Sequence, residues 1–324
     1  MMQTLRPSDV LRCILHNLPK GANLACPAKA IASDKPEANS LLWKETLAQR
    51  RNRVTVLKWA DRNSSKTSLA CLASARVRSG YRAWELDRLF LPSDSGDGVA
   101  TGSSHVNGIM RPQTIALELL DGIVLEIGAR RAERVLLRIP SGSPMFTLAR
   151  QAGFFPYFEE TLLEKLTDFP QRNLVASQVP WQDLLPEDQY SLFQLYCAAT
   201  PQPVRTAMGL TFDQWRDNQD WGGRHRNLVA KHGGKVVAWL GLSRCGQVTS
   251  VEGLVQPGMP ELWESLVERS MEQGAPHRWL VPDYQDSMTQ LLLRRHFTEV
   301  AYYTVMIKMV AVPVGKHGMA TVEA

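Results

Sequence analysis

The sequence predicts an α/β (α+β) protein of two tandem units, each a mixed, mostly antiparallel sheet flanked by helices. Three observations carry this. Arg134 to Leu163 (RVLLRIPSGSPMFTLARQAGFFPYFEETLL) reads strand, turn, helix, strand. Asp286 to Phe297 (DSMTQLLLRRHF) aligns without gaps on Ser143 to Phe154 (SPMFTLARQAGF), setting Met288 on Met145, Leu291 on Leu148 and Phe297 on Phe154. The flanks repeat as well: an amphipathic helix and a short strand precede each copy, and a longer strand follows it.

Taken in order, Leu5 to Leu18 reads as a first helix capped by Ser8 or Asp9. Residues 19–40 are a polar loop rich in Pro, Gly and Ala, and Leu41 to Gln49 forms a second helix. Arg53 to Trp59 alternates as a strand, Leu69 to Arg76 is its hairpin partner, and Tyr81 to Leu91 is the next strand. Pro92 to Gln113 is a Gly- and Ser-rich insert, expected to be mobile. Ile115 to Gly128 follows as an amphipathic helix with Leu117, Leu120, Val124 and Leu125 as its apolar positions.

Val135, Leu136, Leu137 and Ile139 then form a strand apolar on both faces. Ser143 before Pro144 starts a helix, and Met145, Leu148, Ala149 and Ala152 line its buried side. Gly153 ends it as a left-handed cap, with His296 in the same place in the second copy.

The second unit opens with a helix at Pro186 to Ala199 and a helical segment from Thr211. Two strands follow, Asn227 to Ala230 and Val236 to Leu242, joined at His232-Gly233-Gly234. Gln247 to Val255 is its fourth strand, and Gly258-Met259-Pro260 leads into the helix Leu262 to Met271. Arg278 to Val281 and Ala301 to Val310 are its last strands. The expected boundaries are 1–166 and 178–312, with residues 164–180 as the connection.

At 324 residues and 44% hydrophobic, the chain is long enough for two cores of ordinary size. No run approaches the ~20 apolar residues that span a membrane. The five cysteines, Cys13, Cys26, Cys71, Cys197 and Cys245, are scattered without a CxxC pair, which points to reduced thiols in a cytoplasm. The seven histidines show no metal spacing, and no metal is expected.

Residues 1–170 hold 23 Lys and Arg against 17 Asp and Glu, and the rest hold 14 against 15. The first half is therefore the basic one, suited to a phosphorylated ligand. Its arginines are dispersed, without the aromatic-interleaved stripe of a nucleic-acid groove, which argues against that partner. A dimer is compatible with the sequence.

Helix, strand, helix, Gly153-Phe154, strand resembles the closing unit of the GNAT superfamily of N-acyltransferases, and the repeat is similar to a tandem of two such domains. The resemblance implies transfer of an acetyl or other acyl group from acyl-CoA, a co-substrate, to an amine the sequence does not identify. It also implies that the pyrophosphate rests on backbone amides where the central helix begins, the positive end of the helix dipole. The corresponding residues are Leu89, Phe90, Arg111, Gln113 and Thr114 in the first unit, and Val255, Gln256 and Gly258 in the second.

The family's Gln/Arg-x-x-Gly-x-Gly/Ala motif is intact in neither unit. Pro112 removes an amide from the first, and the second has one glycine between Pro257 and Pro260. A strand-four carboxylate often serves the family as general base, which maps onto Asp87, with Glu85 beside it, and onto Glu252. The usual tyrosine acid is replaced by Ala149 and Leu292, and Tyr157 and Tyr284 stand out of register, as packing residues. The first, basic unit is the expected acyl-CoA site. The alternative is a catalytically degenerate pair acting as a ligand-binding or protein-interaction module.

Overall fold

The computed structural model describes residues 3–6, 23–31, 52–60, 68–91, 112–165, 180–220, 225–245, 248–272 and 277–310. The helix expected at 41–49, nearly all of that at 5–18, the insert from 92 to 111 and the connection from 166 to 179 lie outside the described residues. The first half contains β1 (Gln3–Thr4), α1 (Ala28–Ile31), β2 (Arg53–Ala60), β3 (Ser68–Val77), β4 (Ala83–Phe90), α2 (Pro112–Gly128), β5 (Arg134–Pro140), α3 (Met145–Gln151) and β6 (Phe155–Lys165). The second contains β7 (Trp181–Asp183), α4 (Gln189–Ala199), α5 (Gln202–Met208), α6 (Phe212–Asp217), β8 (His225–His232), β9 (Lys235–Cys245), β10 (Val248–Val255), α7 (Glu261–Met271), β11 (His277–Pro282), α8 (Asp286–Arg294) and β12 (Thr298–Met309).

The repeat is real in space. β4 and β5 run parallel, as do β10 and β11, and every other neighbouring pair is antiparallel. Gly153 closes α3 at φ +82°. At the same place after α8, His296 adopts φ +63°, a conformation that non-glycine residues enter at a cost. The backbone geometry of the motif outlived its glycine.

The halves do not keep separate sheets. All twelve strands form one sheet in the order β1-β2-β3-β4-β5-β12-β6-β11-β10-β9-β8-β7. The last strand of each half has crossed over: β6 pairs with β11, and β12 lies between β5 and β6. Thr304 of β12 thus sits opposite Ile139 on one side and Glu159 on the other. The exchange gives both strands partners along both edges, where an unpaired edge would be open to aggregation.

One face of the sheet carries the two expected cores. Trp84, Leu86, Val135, Leu137 and Ile139 pack under α2 and α3, where Leu120, Ile123 and Ala149 are buried. Val251, Trp279 and Val281 pack with Leu266, Met288 and Leu291 of α7 and α8. The opposite face receives α4, α5 and α6. Leu192, Tyr196 and Trp215 rest on Val229 and Trp239, while Ala207 reaches across to Leu136 and Ile307. These three helices therefore span the junction between the halves.

Because β12 completes the sheet for both halves, neither can unfold without exposing the other's edge. Scanning calorimetry should show a single cooperative transition. Two well-separated transitions would contradict the shared strand.

Candidate functional site

Two parallel strands that diverge leave backbone groups without partners, and α/β proteins commonly bind ligands at such carboxyl-end crevices. This chain has two such gaps. β4 and β5 pair only through Ala83↔Arg134, Trp84↔Val135 and Glu85↔Leu136; β10 and β11 pair only through Thr249↔His277, Ser250↔Arg278 and Val251↔Trp279. Their contents differ.

The first gap is filled by the chain itself. The Leu24 N–H donates to the Leu89 carbonyl at 2.9 Å, and the Cys26 N–H donates to the Arg138 carbonyl at 2.8 Å. Asn23 completes the seal: its Nδ2 donates to the Asp87 carbonyl, and its Oδ1 accepts from the Leu89 N–H, both at 2.8 Å. Ala25 sinks into the core below. Leu89, expected to meet a cofactor, has both peptide groups engaged by the protein. Phe90 is buried among Leu5, Leu57, Leu69 and Leu72. Gln113 and Thr114 are exposed on the first turn of α2, and Arg111 lies outside the described residues.

The first-half carboxylates are held by arginines. Asp87 Oδ2 lies 2.6 Å from Arg53 Nη2. Glu85, almost wholly buried, lies 2.5 Å from Arg76, with Arg138 at 3.6 Å and Arg78 at 3.8 Å. Both carboxylates are thus engaged in ion pairs within the sheet.

The second gap opens into a cavity of about 180 Å³ between the sheet and helices α4 to α6. Glu252 projects into it from β10, and its side chain remains exposed to solvent. Burial pushes its carboxyl up from the ordinary range. Glu160 and Asp220 push the same way, while Arg78 and Arg138 pull back. The floor beside it is flat because Gly241 has no side chain: a Cβ there would come within 2.7 Å of the Trp239 ring. Trp239 is pinned by its Nε1 donating to Asn227 Oδ1 at 3.0 Å.

Across the cavity, Arg138 and Glu160 form a buried two-pronged pair, with Nε to Oε2 at 2.6 Å and Nη2 to Oε1 at 3.3 Å. Tyr284, expected to be a packing residue, both packs edge-on against Phe158 and lines the cavity. Burial, then Glu160 and Tyr196, raise its phenol far above the ordinary value.

At the gap itself, Gln285 Nε2 donates to the Gly253 carbonyl at 3.2 Å, so the peptide of Gly253 faces the opening. Val255, two residues on, presents its backbone to the same side. Beyond it, the chain turns through Gln256 and through Gly258 at φ +88°. The first turn of α7 carries Glu261 and Glu264, and its Leu262 and Trp263 N–H groups already bond back to Met259 and Pro260. That end of the helix is a poor seat for a diphosphate.

Arg78, Arg138, Glu160, Asp220 and the aromatic lining were not singled out in the sequence. A signal existed: Arg138 and Glu160 interrupt strands that otherwise read as buried. Among the described residues no group of His, Cys, Asp and Glu is placed to hold a metal ion, and no helix is long and apolar enough to cross a membrane.

No protein-family model matches the chain, and no curated protein does. Among solved structures it is similar to a GCN5-related N-acetyltransferase from Sphaerobacter thermophilus, at 14% identity and TM-score 0.54 over 95% of each chain. A putative acetyltransferase from Pyrococcus horikoshii is similar at 13% identity and TM-score 0.49, over 96% of this chain and 90% of that one. The likeness to the Sphaerobacter thermophilus structure establishes the fold.

Two outcomes follow from this geometry. Asn23→Ala leaves the Leu89 N–H and Asp87 carbonyl unbonded, which should cost about 1–3 kcal/mol in urea unfolding; a change near zero would mean the segment is not docked. For Glu252, the folded state holds the proton more tightly than the unfolded chain. Stability linked to it is therefore present at acid pH and falls as pH rises from the ordinary carboxylate range through the raised folded value. Glu252→Gln should melt higher than the wild type at pH 7–8, with the gain vanishing toward pH 4. A gain that does not vary with pH would refute this.

Proposed function

We propose that this chain, which has the GCN5-related N-acetyltransferase fold, transfers an acyl group from acyl-CoA to an amine bound in the second-half cavity. The observation that carries the reading is the single open strand gap, with Glu252 standing in the cavity it opens into. The first half, though more basic, has its own gap filled by Asn23 to Cys26.

In this reading the acceptor enters as an ammonium ion and pairs with Glu252. An amine must lose a proton before it can attack a thioester. A carboxyl whose affinity for protons is raised by burial is suited to take it. The Gly253 peptide at the gap offers its N–H to the thioester oxygen, where negative charge gathers as the amine adds. Tyr284 stays protonated, so it supplies a hydrogen bond to the departing sulfur rather than a readily lost proton.

Glu261 and Glu264, at the helix end where a diphosphate would sit, favour a second reading. In it the same cavity binds its ligand without acyl-CoA, and the chain is a catalytically degenerate binding module.

Titration calorimetry with acetyl-CoA separates the two. The first reading expects about one equivalent bound, and release of free thiol with a panel of primary amines. Glu252→Gln should lower that turnover about 10²- to 10⁴-fold, whereas Asp87→Asn, where it folds, should retain it. No heat at millimolar acetyl-CoA would leave the binding module as the surviving reading.

A further inference from the structure

The charges around the cavity are unequally satisfied. Arg138 is committed to Glu160, and Asp220 accepts from Arg76 at 3.0 and 2.5 Å. Glu252 and Arg78 are left. Glu252 accepts no hydrogen bond among the described residues, and no ion pair joins it to Arg78. The Arg78 guanidinium approaches Glu85 only at 3.8 Å, beyond hydrogen-bond length, and its Nε is buried without a partner. Tyr196 Oη and Asn218 Oδ1, in the same wall, are also buried without partners. Proteins bury few such atoms, and their grouping around one cavity marks a place for a polar ligand.

Part of the wall is aromatic, with Phe158, Tyr196, Trp215 and Trp239. A cavity of about 150 Å³ accepts a benzene ring, and this one measures about 180 Å³. A simple amine would pair with Glu252 and leave the Arg78 guanidinium with only its 3.8 Å approach to Glu85. A simple carboxylate would do the reverse. A ligand carrying both charges gives each of them a hydrogen-bonded partner of opposite sign.

We propose that the cavity binds a free α-amino acid with a large apolar side chain, its ammonium on Glu252, its carboxylate on Arg78 and its side chain against the aromatic wall. This deepens the acyl-transfer reading by naming the class of acceptor, and it rests on that reading only in making the bound amine the one that is acylated. The ammonium loses one proton to Glu252, and the free amine adds to the thioester carbonyl. As the amide bond forms and the carbon–sulfur bond breaks, the second proton of the nitrogen passes to the departing thiolate, which leaves as the thiol.

The test measures binding alone, by calorimetry on the full chain without acetyl-CoA. The probes are L-phenylalanine, phenethylamine, which lacks the carboxylate, and 3-phenylpropionate, which lacks the amine. Phenylalanine should bind at least 10-fold more tightly than either. Arg78→Met should reduce phenylalanine to the level of phenethylamine. Glu252→Gln should weaken phenylalanine and phenethylamine while sparing phenylpropionate. Equal or tighter binding of phenethylamine by the wild type, or no heat from any probe, would overturn the proposal. If Arg78→Met does not fold, the wild-type comparison decides. A protein that binds acetyl-CoA but not phenylalanine defeats this inference alone; one that binds phenylalanine but not acetyl-CoA sustains it and removes the transfer step.

Discussion

The pairing of β12 with both β5 and β6 is the constraint on which the rest of the molecule depends. A strand that completes two half-sheets fixes them in one plane and at one distance. Helices α4 to α6 can then lie across the junction, with Arg134 Nη1 donating to the Ala207 carbonyl at 3.1 Å and Arg82 Nη1 3.4 Å from Asp217. Side chains from both halves consequently meet in one cavity: Arg78 and Arg138 come from the first, Asp220 and Glu252 from the second.

That shared wall accounts for an unequal division of labour between two copies of one pattern. In the first copy the separated strands are bridged by the protein's own backbone, and the nearby carboxylates are neutralised by Arg53, Arg76 and Arg138. In the second, among the described residues only the Gln285 side chain bonds to the gap, and the carboxylate stands in a cavity. The first half contributes arginines and a rigid edge; the second contributes the opening. Among the described residues, Arg53, Arg76 and Arg138 of the basic half pair with carboxylates of the sheet.

Much of the fold was legible because it is local. The strands read at Arg53 to Trp59 and Arg278 to Val281 lie within the observed Arg53–Ala60 and His277–Pro282, and the central helices follow from helical spacing and caps. The alignment set His296 in the place of Gly153, and its left-handed conformation came only with the structure. The strand exchange was not legible, since β6 and β12 have similar composition and nothing in either specifies which neighbour it joins. The site was half legible. Glu252 was found with Asp87 by position on strand four, but what separates them is Arg53, two strands away from Asp87, and a plug from residues 23–26. Such long-range partners leave no periodic trace. Tyr284 was dismissed on register, although the short turn at Asp283–Gln285 carries it to the cavity.

The shared strand also bears on how the chain is made. β5 and β6 leave the ribosome well before β12, which ends at Met309, about 140 residues after Lys165. At roughly 5–20 residues per second that delay is on the order of 7–28 seconds. Throughout it, β5 offers an open edge beside a core that is otherwise ready to form, and β6 has neither of its final partners. The nascent first half must therefore wait unfinished, or be shielded, until nearly the whole chain has been synthesised. Pairing of such distant segments is intrinsically slow. For this protein the order of translation, more than the strength of either core, sets when a native fold first becomes attainable.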